Sequence, residues 1–314
     1  MVSRFLLAGV LGSLAFAVFA AGATSSGNAV PTRNGELVFS SLQVRNGDYE
    51  LYLMRADGTR KRRITHRRAF ERYPRWSPDG KWLAYISNRS QPSTERAYEI
   101  YVMRPNGTGF RRVTHDRWID DQLAWSLDGR RIAFESNRQS GKFGLWIMNV
   151  NGTGARRLTS NGGIPAWSPD GETIAFVRSN PTGGPYGTDE IWVMDQDGTN
   201  ERRLTVPPVG DTSSGHDSMP EWSPDGNQIA FARSFRGRQD IYTIRADGTG
   251  LRRLTKDSGR FSWPAWSPDG RRIAFVRHHS KKVDVNVMNA DGTQQKRLTV
   301  GGLDYAYLDW QPLR

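Results

Sequence analysis

Carboxylates, a histidine and aromatic side chains gather at one position of a recurring pattern in this chain, and together they could do chemistry. They are Glu71, Arg72 and Tyr73; Asp120 and Asp121; His216 and Asp217; Trp263; and Asp304 with Tyr305. Anionic oxygens grouped this way could hold a divalent cation or the cationic group of a ligand. The competing reading is that the carboxylates satisfy backbone donors where strands begin. The remaining histidines suggest no separate centre. His66 and His115 occupy equivalent positions after a strand, His278 and His279 share a loop, and none has metal-ligand spacing. No Gly-x-Ser-x-Gly nucleophile elbow occurs. The residues therefore point to binding rather than catalysis, with no cofactor required.

The elements that must position these residues are written in an internal repeat. Tryptophans at 76, 125, 167, 222, 266 and 310 are separated by 49, 42, 55, 44 and 44 residues, close to the roughly 40–45 expected of one four-stranded propeller blade. Each copy reads as an x-Pro-x-Trp strand, a Ser-Pro-Asp-Gly turn, an Ile-Ala-Phe strand, a variable loop, an aromatic-rich strand ending in Met, an Asp/Asn-Gly-Thr turn and a short basic strand. Pro and Gly in the first turn preset the dihedrals that a tight turn needs, with Leu127 replacing the proline once. Asp-Gly or Asn-Gly in the second turn is a strong hairpin signal. Because every such aspartate is followed by glycine, turn chemistry explains them better than catalysis or calcium binding. Met54, Met103, Met148, Met194 and Met288 recur at one position, where Ile244 substitutes, which marks core packing.

The first copy begins at Gly35 without a Trp strand, and the last, around Trp310, has only that strand. Each supplies what the other lacks. The expected fold is thus all-β, a six-bladed β-propeller over residues 36–314, closed by pairing the C-terminal strand with the N-terminal blade. In such a fold the repeated turns share one face. The variable loops, including 88–97, 179–189 and 206–218, share the other, and the ten candidate residues would crowd the channel mouth there. Loops that vary on a rigid frame usually carry specificity.

Residues 1–23 read as a signal peptide: Arg4, an apolar stretch over 5–19 and the small residues Ala21-Gly22-Ala23. Residues 24–35 form a short linker. The expected location is extracytoplasmic, periplasmic or secreted, with no transmembrane domain after cleavage. No cysteine is present, so neither a lipobox nor a disulfide framework is available. The net charge of +12 at first suggests nucleic acid, but one basic pair per repeat (62–63, 111–112, 156–157, 202–203, 252–253 and 296–297) accounts for the whole excess. Spread around a rim, these pairs make no concentrated footprint, and nucleic acid is not the expected partner. Their expected role is to block edge-to-edge pairing of the outermost strands.

The Trp-Ser-Pro-Asp-Gly, Ile-Ala-Phe, Met-x-x-Asp-Gly-Thr and Arg-Arg-Leu-Thr segments resemble the repeats of the TolB-type propeller family over residues 36–310. The resemblance implies a propeller outside the cytoplasm. In the family's namesake it implies binding of envelope partners, including a peptidoglycan-associated lipoprotein, within the Tol-Pal system. The namesake also carries an α/β domain before its propeller, and residues 24–34 are too short to be one, so the expectation is a stand-alone, monomeric TolB-like propeller. The leading function is a non-catalytic binding scaffold holding a protein or cell-envelope component. The alternative is a propeller enzyme, of carbohydrate lyase or hydrolase type, in which Asp120, Asp121, His216 or Asp217 converge on a metal at the channel mouth.

Overall fold

The computed structural model describes residues 35–42, 48–90, 98–139, 141–183, 187–210, 213–279, 282–299 and 305–312, with the side chains of 213, 214, 305 and 306 left aside. The expected signal peptide, the linker up to residue 34 and Asp304 lie outside the described residues. Residues 31–314 group into one compact unit.

The described chain is all-β, built from one four-strand antiparallel pattern. Strand Glu36–Leu42 pairs with Tyr49–Arg55, which pairs with the short outer strand Arg62–Arg63. On its other side Glu36–Leu42 pairs with the C-terminal strand Tyr305–Trp310. The pattern returns in Glu71–Trp76, Leu83–Ser87, Glu99–Met103 and Arg111–Arg112, then in Asp120–Trp125, Arg131–Gln139, Lys142–Asn149 and Arg156–Thr159. It continues in Gly163–Trp167, Thr173–Asn180, Thr188–Asp195 and Arg202–Arg203, and in His216–Trp222, Gln228–Phe235, Arg238–Arg245 and Arg252–Arg253. Arg260–Trp266, Arg272–His278, Val283–Asn289 and Lys296–Arg297 complete it. The Trp-bearing innermost strands pack side by side in sequence order, and Tyr305–Trp310 lies against both Arg260–Trp266 and Glu71–Trp76.

Packing between neighbouring sheets supplies the core. Ile132, Ala133 and Phe134 are all fully buried, as are Ile273, Ala274 and Phe275, because both faces of each sheet are covered. One apolar cluster joins Leu37, Phe39 and Met54 of the first sheet to Val276, Val285 and Val287 of the last. The repeated methionines lie in this core, each no more than 1% exposed.

Both repeated turns are held as their composition requires. In the first, the Ser77 hydroxyl donates to Asp79 Oδ1 at 2.6 Å, and that oxygen also accepts from Lys81 N at 3.1 Å. In the second, Asp57 Oδ1 accepts from the backbone N–H and the hydroxyl of Thr59 at 2.8 and 2.6 Å. These bonds, led by the one from the Thr59 hydroxyl, hold Asp57 below the ordinary carboxylate range. Glycine in the second turn answers a long-range demand as well. Gly58 has φ 87°, and a Cβ there would lie 2.6 Å from the carbonyl oxygen of Leu298 in the last sheet.

The basic pairs do more than guard strand edges. In several pairs the first arginine reaches the following sheet: Arg111 donates to the Val150 carbonyl at 3.0 Å, Arg202 to Ala246 at 2.7 Å and Arg252 to Asp291 at 2.9 Å. In the last two pairs the second turns inward. Arg253 donates to the Thr255 carbonyl at 2.7 Å and pairs with buried Asp240 at 3.0 Å, and Arg297 does the same with Thr299 and buried Asp284 at 2.7 and 2.9 Å. Much of the positive charge is therefore spent on neighbouring sheets and buried carboxylates, and the edge-blocking reading is too narrow.

Candidate functional site

Every innermost strand has a register shift at its midpoint, where one non-glycine residue adopts left-handed backbone. These residues are Tyr73 (φ 50°), Gln122 (44°), Ile164 (51°), Met219 (58°), Trp263 (53°) and Tyr307 (59°). Such backbone costs roughly 1–2 kcal/mol per residue, so packing must over-determine it. It is held because the bulge turns these side chains onto one another. The Tyr73 and Tyr307 rings lie 3.8 Å apart between centroids, Trp263 lies 4.5 Å from Tyr307 and 5.5 Å from Tyr73, and the backbone N–H of Trp263 meets Met219 Sδ at 3.4 Å. The cavity left among them is about 10 Å³, less than one water occupies. They form a floor across the centre.

The strands run from the variable loops toward the repeated turns, so residues before and after this floor line different sides. On the variable-loop side stand Arg72, Asp121 and Glu135. Arg72 donates to the Tyr98 hydroxyl at 2.5 Å, with its guanidinium 5.2 Å from the Phe70 ring and 5.6 Å from that of Tyr49. Burial pushes Asp121 up to about 6, against the Gln122 N–H and the Arg72 charge that favour its ionised form. Glu135, directly across the strand pair from Asp121, is pushed up to about 7 by burial and then by the Asp121 charge, while the Ile164 N–H opposes the shift. Gly163 makes room for it, since a Cβ there would lie 2.3 Å from Glu135 Oε2.

On the repeated-turn side, Arg75 pairs with Glu221 at 3.0 Å and approaches Asp309 to 3.6 Å, while Asp309 Oδ2 accepts from Trp76 N at 2.7 Å. One guanidinium thus serves two carboxylates beside a cavity of about 130 Å³. Burial pushes Glu221 up to about 7, with Arg75 opposing and Asp309 adding to the shift.

Of the ten expected channel-mouth residues, Arg72 and Asp121 stand there. Tyr73 and Trp263 belong to the floor. Glu71 and Asp120, which begin their strands, and Asp217, second in its own, are fully buried and paired inside their own sheets: Glu71 with Arg89, Asp120 with Arg138 at 2.8 Å, and Asp217 with Arg233 at 2.6 and 2.7 Å. Side chains alternate along a strand, so these three turn into the sheet and the residue after each turns toward the centre. His216 pairs with Asp189 at 3.0 Å at the rim. Tyr305 occupies the C-terminal strand, and Asp304 lies outside the described residues. The expected convergence of Asp120, His216 and Asp217 on one metal does not form. Among the described residues, Glu99, Asp116 and Asp120 cluster closely enough for a cation. Arg112 already pairs with Glu99, and Arg138 with both Asp116 and Asp120.

Sequence reasoning missed Glu135, Tyr307 and the Arg75–Glu221–Asp309 set. A signal existed for the last. The residue before the repeated tryptophan is Ala124, Ala166 and Ala265 in the plain copies, and Arg75, Glu221 and Asp309 are the departures.

Comparison with known proteins agrees with this architecture. The family model described as the TolB beta propeller domain matches residues 91–206 and 209–313. A curated relative, the protein TolB homolog of Chlorobaculum tepidum, is 34% identical over 95 residues, which are 30% of this chain and 19% of that protein. The chain thus aligns with about a fifth of that relative's length. The crystal structure of TolB from Acinetobacter baumannii superposes with a TM-score of 0.74 at 21% identity, covering 89% of this chain and 67% of that one. A structure of putative TolB from Agrobacterium tumefaciens gives 0.66 at 23% identity, covering 89% and 99%. With the floor, its two charged sides and the repeated turns in place, the chain belongs to the TolB beta propeller domain family.

Proposed function

We propose that this TolB-like propeller has six blades closed by the C-terminal strand, and works outside the cytoplasm as a non-catalytic binding module. It holds a protein or cell-envelope partner at its variable-loop face. The ring is supported by the pairing of Tyr305–Trp310 with Glu36–Leu42 and by the core shared between first and last sheets. The apolar N-terminal stretch supports the location. The observation that carries the binding role is the juxtaposition of Asp121 and Glu135 above an aromatic floor: two carboxylates driven toward protonation by burial are poised to ionise when a cation arrives. A lysine or arginine presented by the partner would supply that cation, with the Tyr73 and Trp263 rings beneath it.

The test is capture from envelope extracts on immobilised protein, comparing wild type with an Asp121→Asn/Glu135→Gln double variant. Wild type should retain a partner in a salt-sensitive manner, and the double variant should retain at least about tenfold less, equivalent to roughly 1.4 kcal/mol. Equal retention by a folded double variant would defeat the reading.

A further inference from the structure

The repeat provides its own reference state, and two further departures from that reference meet in one place. Leu127 stands where the other Ser-Pro-Asp-Gly copies carry Pro78, Pro169, Pro224 and Pro268. Trp82 stands where the equivalent strands carry Arg131, Thr173, Gln228 and Arg272. Both line a single cavity of about 360 Å³ between neighbouring sheets on the repeated-turn face, on the other side of Trp125 from the Arg75 carboxylate set. That volume lies within the range of small-molecule sites.

Its lining is part apolar and part polar. The indoles of Trp82 and Trp125 and the side chain of Leu127, 41% exposed, supply the apolar part. Asp79, Asp128 and Arg111 supply the polar part. In both aspartates the turn's own hydrogen bonds fall on Oδ1: Ser77 and Lys81 N donate to Asp79, and Ser126 and Arg130 N donate to Asp128. Each Oδ2 carries none of these turn bonds, and that of Asp79 has the exposed Lys81 ammonium at 3.9 Å. Trp125 is fixed by its own indole N–H, which donates to the Arg75 carbonyl at 3.2 Å, so one wall is rigid.

Charge decides between ligand classes. Two carboxylates against one guanidinium oppose an anion inside the cavity. Just beyond Trp82 a second cavity of about 470 Å³ is walled by Arg62, Lys81 and Arg104, which opposes a cation on approach. A neutral ring with an apolar face and a rim of hydroxyls fits both conditions. Its C–H face can lie on an indole, its hydroxyls can donate to the Oδ2 oxygens, and Arg111 can donate to a ring or hydroxyl oxygen.

We propose that this cavity is a binding site for a neutral oligosaccharide, with one pyranose ring held between Trp82, Trp125 and Leu127. The site is independent of the variable-loop face and of any partner held there.

Two variants return the site to the repeat's own consensus and should therefore fold. W82R reproduces Arg131 and Arg272, and L127P reproduces the proline of the other turns. Proline at a compatible turn position keeps or raises thermal stability. Binding is read by isothermal titration calorimetry and tryptophan fluorescence with maltotetraose, cellotetraose and chitotetraose as neutral probes, tetragalacturonate as an acidic probe and tetraethylammonium as a cation. At least one neutral tetrasaccharide should bind wild type and perturb the fluorescence. W82R should weaken that binding about tenfold or more, and L127P should weaken it in the same direction, both with the melting temperature kept. If W82R fails to fold, W82Q, which copies Gln228, takes its place. Failure of every neutral probe to bind, binding confined to the acidic or cationic probe, or undiminished affinity in the folded variants would each overturn the proposal.

Discussion

At the residue scale, the Arg75 guanidinium holds together carboxylates from two other strands, Glu221 and Asp309, inside the molecule. Taking the cation away leaves Glu221 and Asp309 beside a small cavity without the partner that favours their ionised forms, and breaking a buried pair typically costs roughly 3–5 kcal/mol. Arg75→Met should lower the denaturant midpoint accordingly, whereas the triple change Arg75→Met/Glu221→Gln/Asp309→Asn should recover much of the loss. If the triple variant is no better than the single, charge is not what the arginine compensates. Glu135 gives a second prediction, with a definite sign. Its folded-state value of about 7 lies above the ordinary 4.5, so folding takes up a proton between these values. Its contribution is fully present below about pH 4.5 and is lost as pH rises toward 7. Glu135→Gln should flatten that part of a melting-temperature profile. The turn aspartates act in the opposite direction: Asp79 and Asp128 lie below the ordinary range, so their stabilisation is lost as pH falls through the acid range. Parallel profiles for wild type and Glu135→Gln between pH 4.5 and 7 would show that Glu135 is not shifted.

At the scale of elements, the repeated turns were the most legible feature because their chemistry is local. Ser77, Asp79 and Gly80 meet within one turn, and the chain order alone implies their hydrogen bonds. The basic pairs were less legible, since Arg111 and Arg202 find their acceptors 39 and 44 residues away. The second turn combines both kinds of information. Gly152 has φ 89°, which turn composition predicts, but a Cβ there would also lie 2.4 Å from the Val113 carbonyl oxygen of the preceding sheet. Gly237 has φ 75° with no atom within 4 Å of its would-be Cβ. Gly237→Ala should therefore cost only the left-handed backbone, about 1–2 kcal/mol. Gly152→Ala should cost distinctly more, with a correspondingly larger fall in melting temperature. Equal costs would mean that the contact between sheets relaxes freely.

At the scale of the whole molecule, the C-terminal strand is the tie between the first sheet and its neighbours. Trp310 pairs with Leu37, and the Gln311 side chain accepts from Glu36 N at 3.1 Å and donates to the Gly80 carbonyl at 3.3 Å. Deleting residues 303–314 should expose the strand edge and the core around Leu37 and Phe39, lowering the melting temperature of the entire domain in one transition. A truncated protein that melts like the full chain would show that the domain does not depend on this strand. The sequence by itself determined the all-β repeat, its turns, its buried Ile-Ala-Phe strands and the pairing of the two incomplete end copies. Each of these rests on local dihedral preference or on alternation within one strand. Only the tertiary structure decided that Glu71, Asp120 and Asp217 turn into their sheets while Asp121 and Glu135 face the centre, that aromatic side chains close the middle, and that Arg75, Glu221 and Asp309 meet. The physical reason is that these outcomes depend on which neighbour lies across a bulged strand or a central gap, and residues from 16 to more than 200 positions apart become partners there.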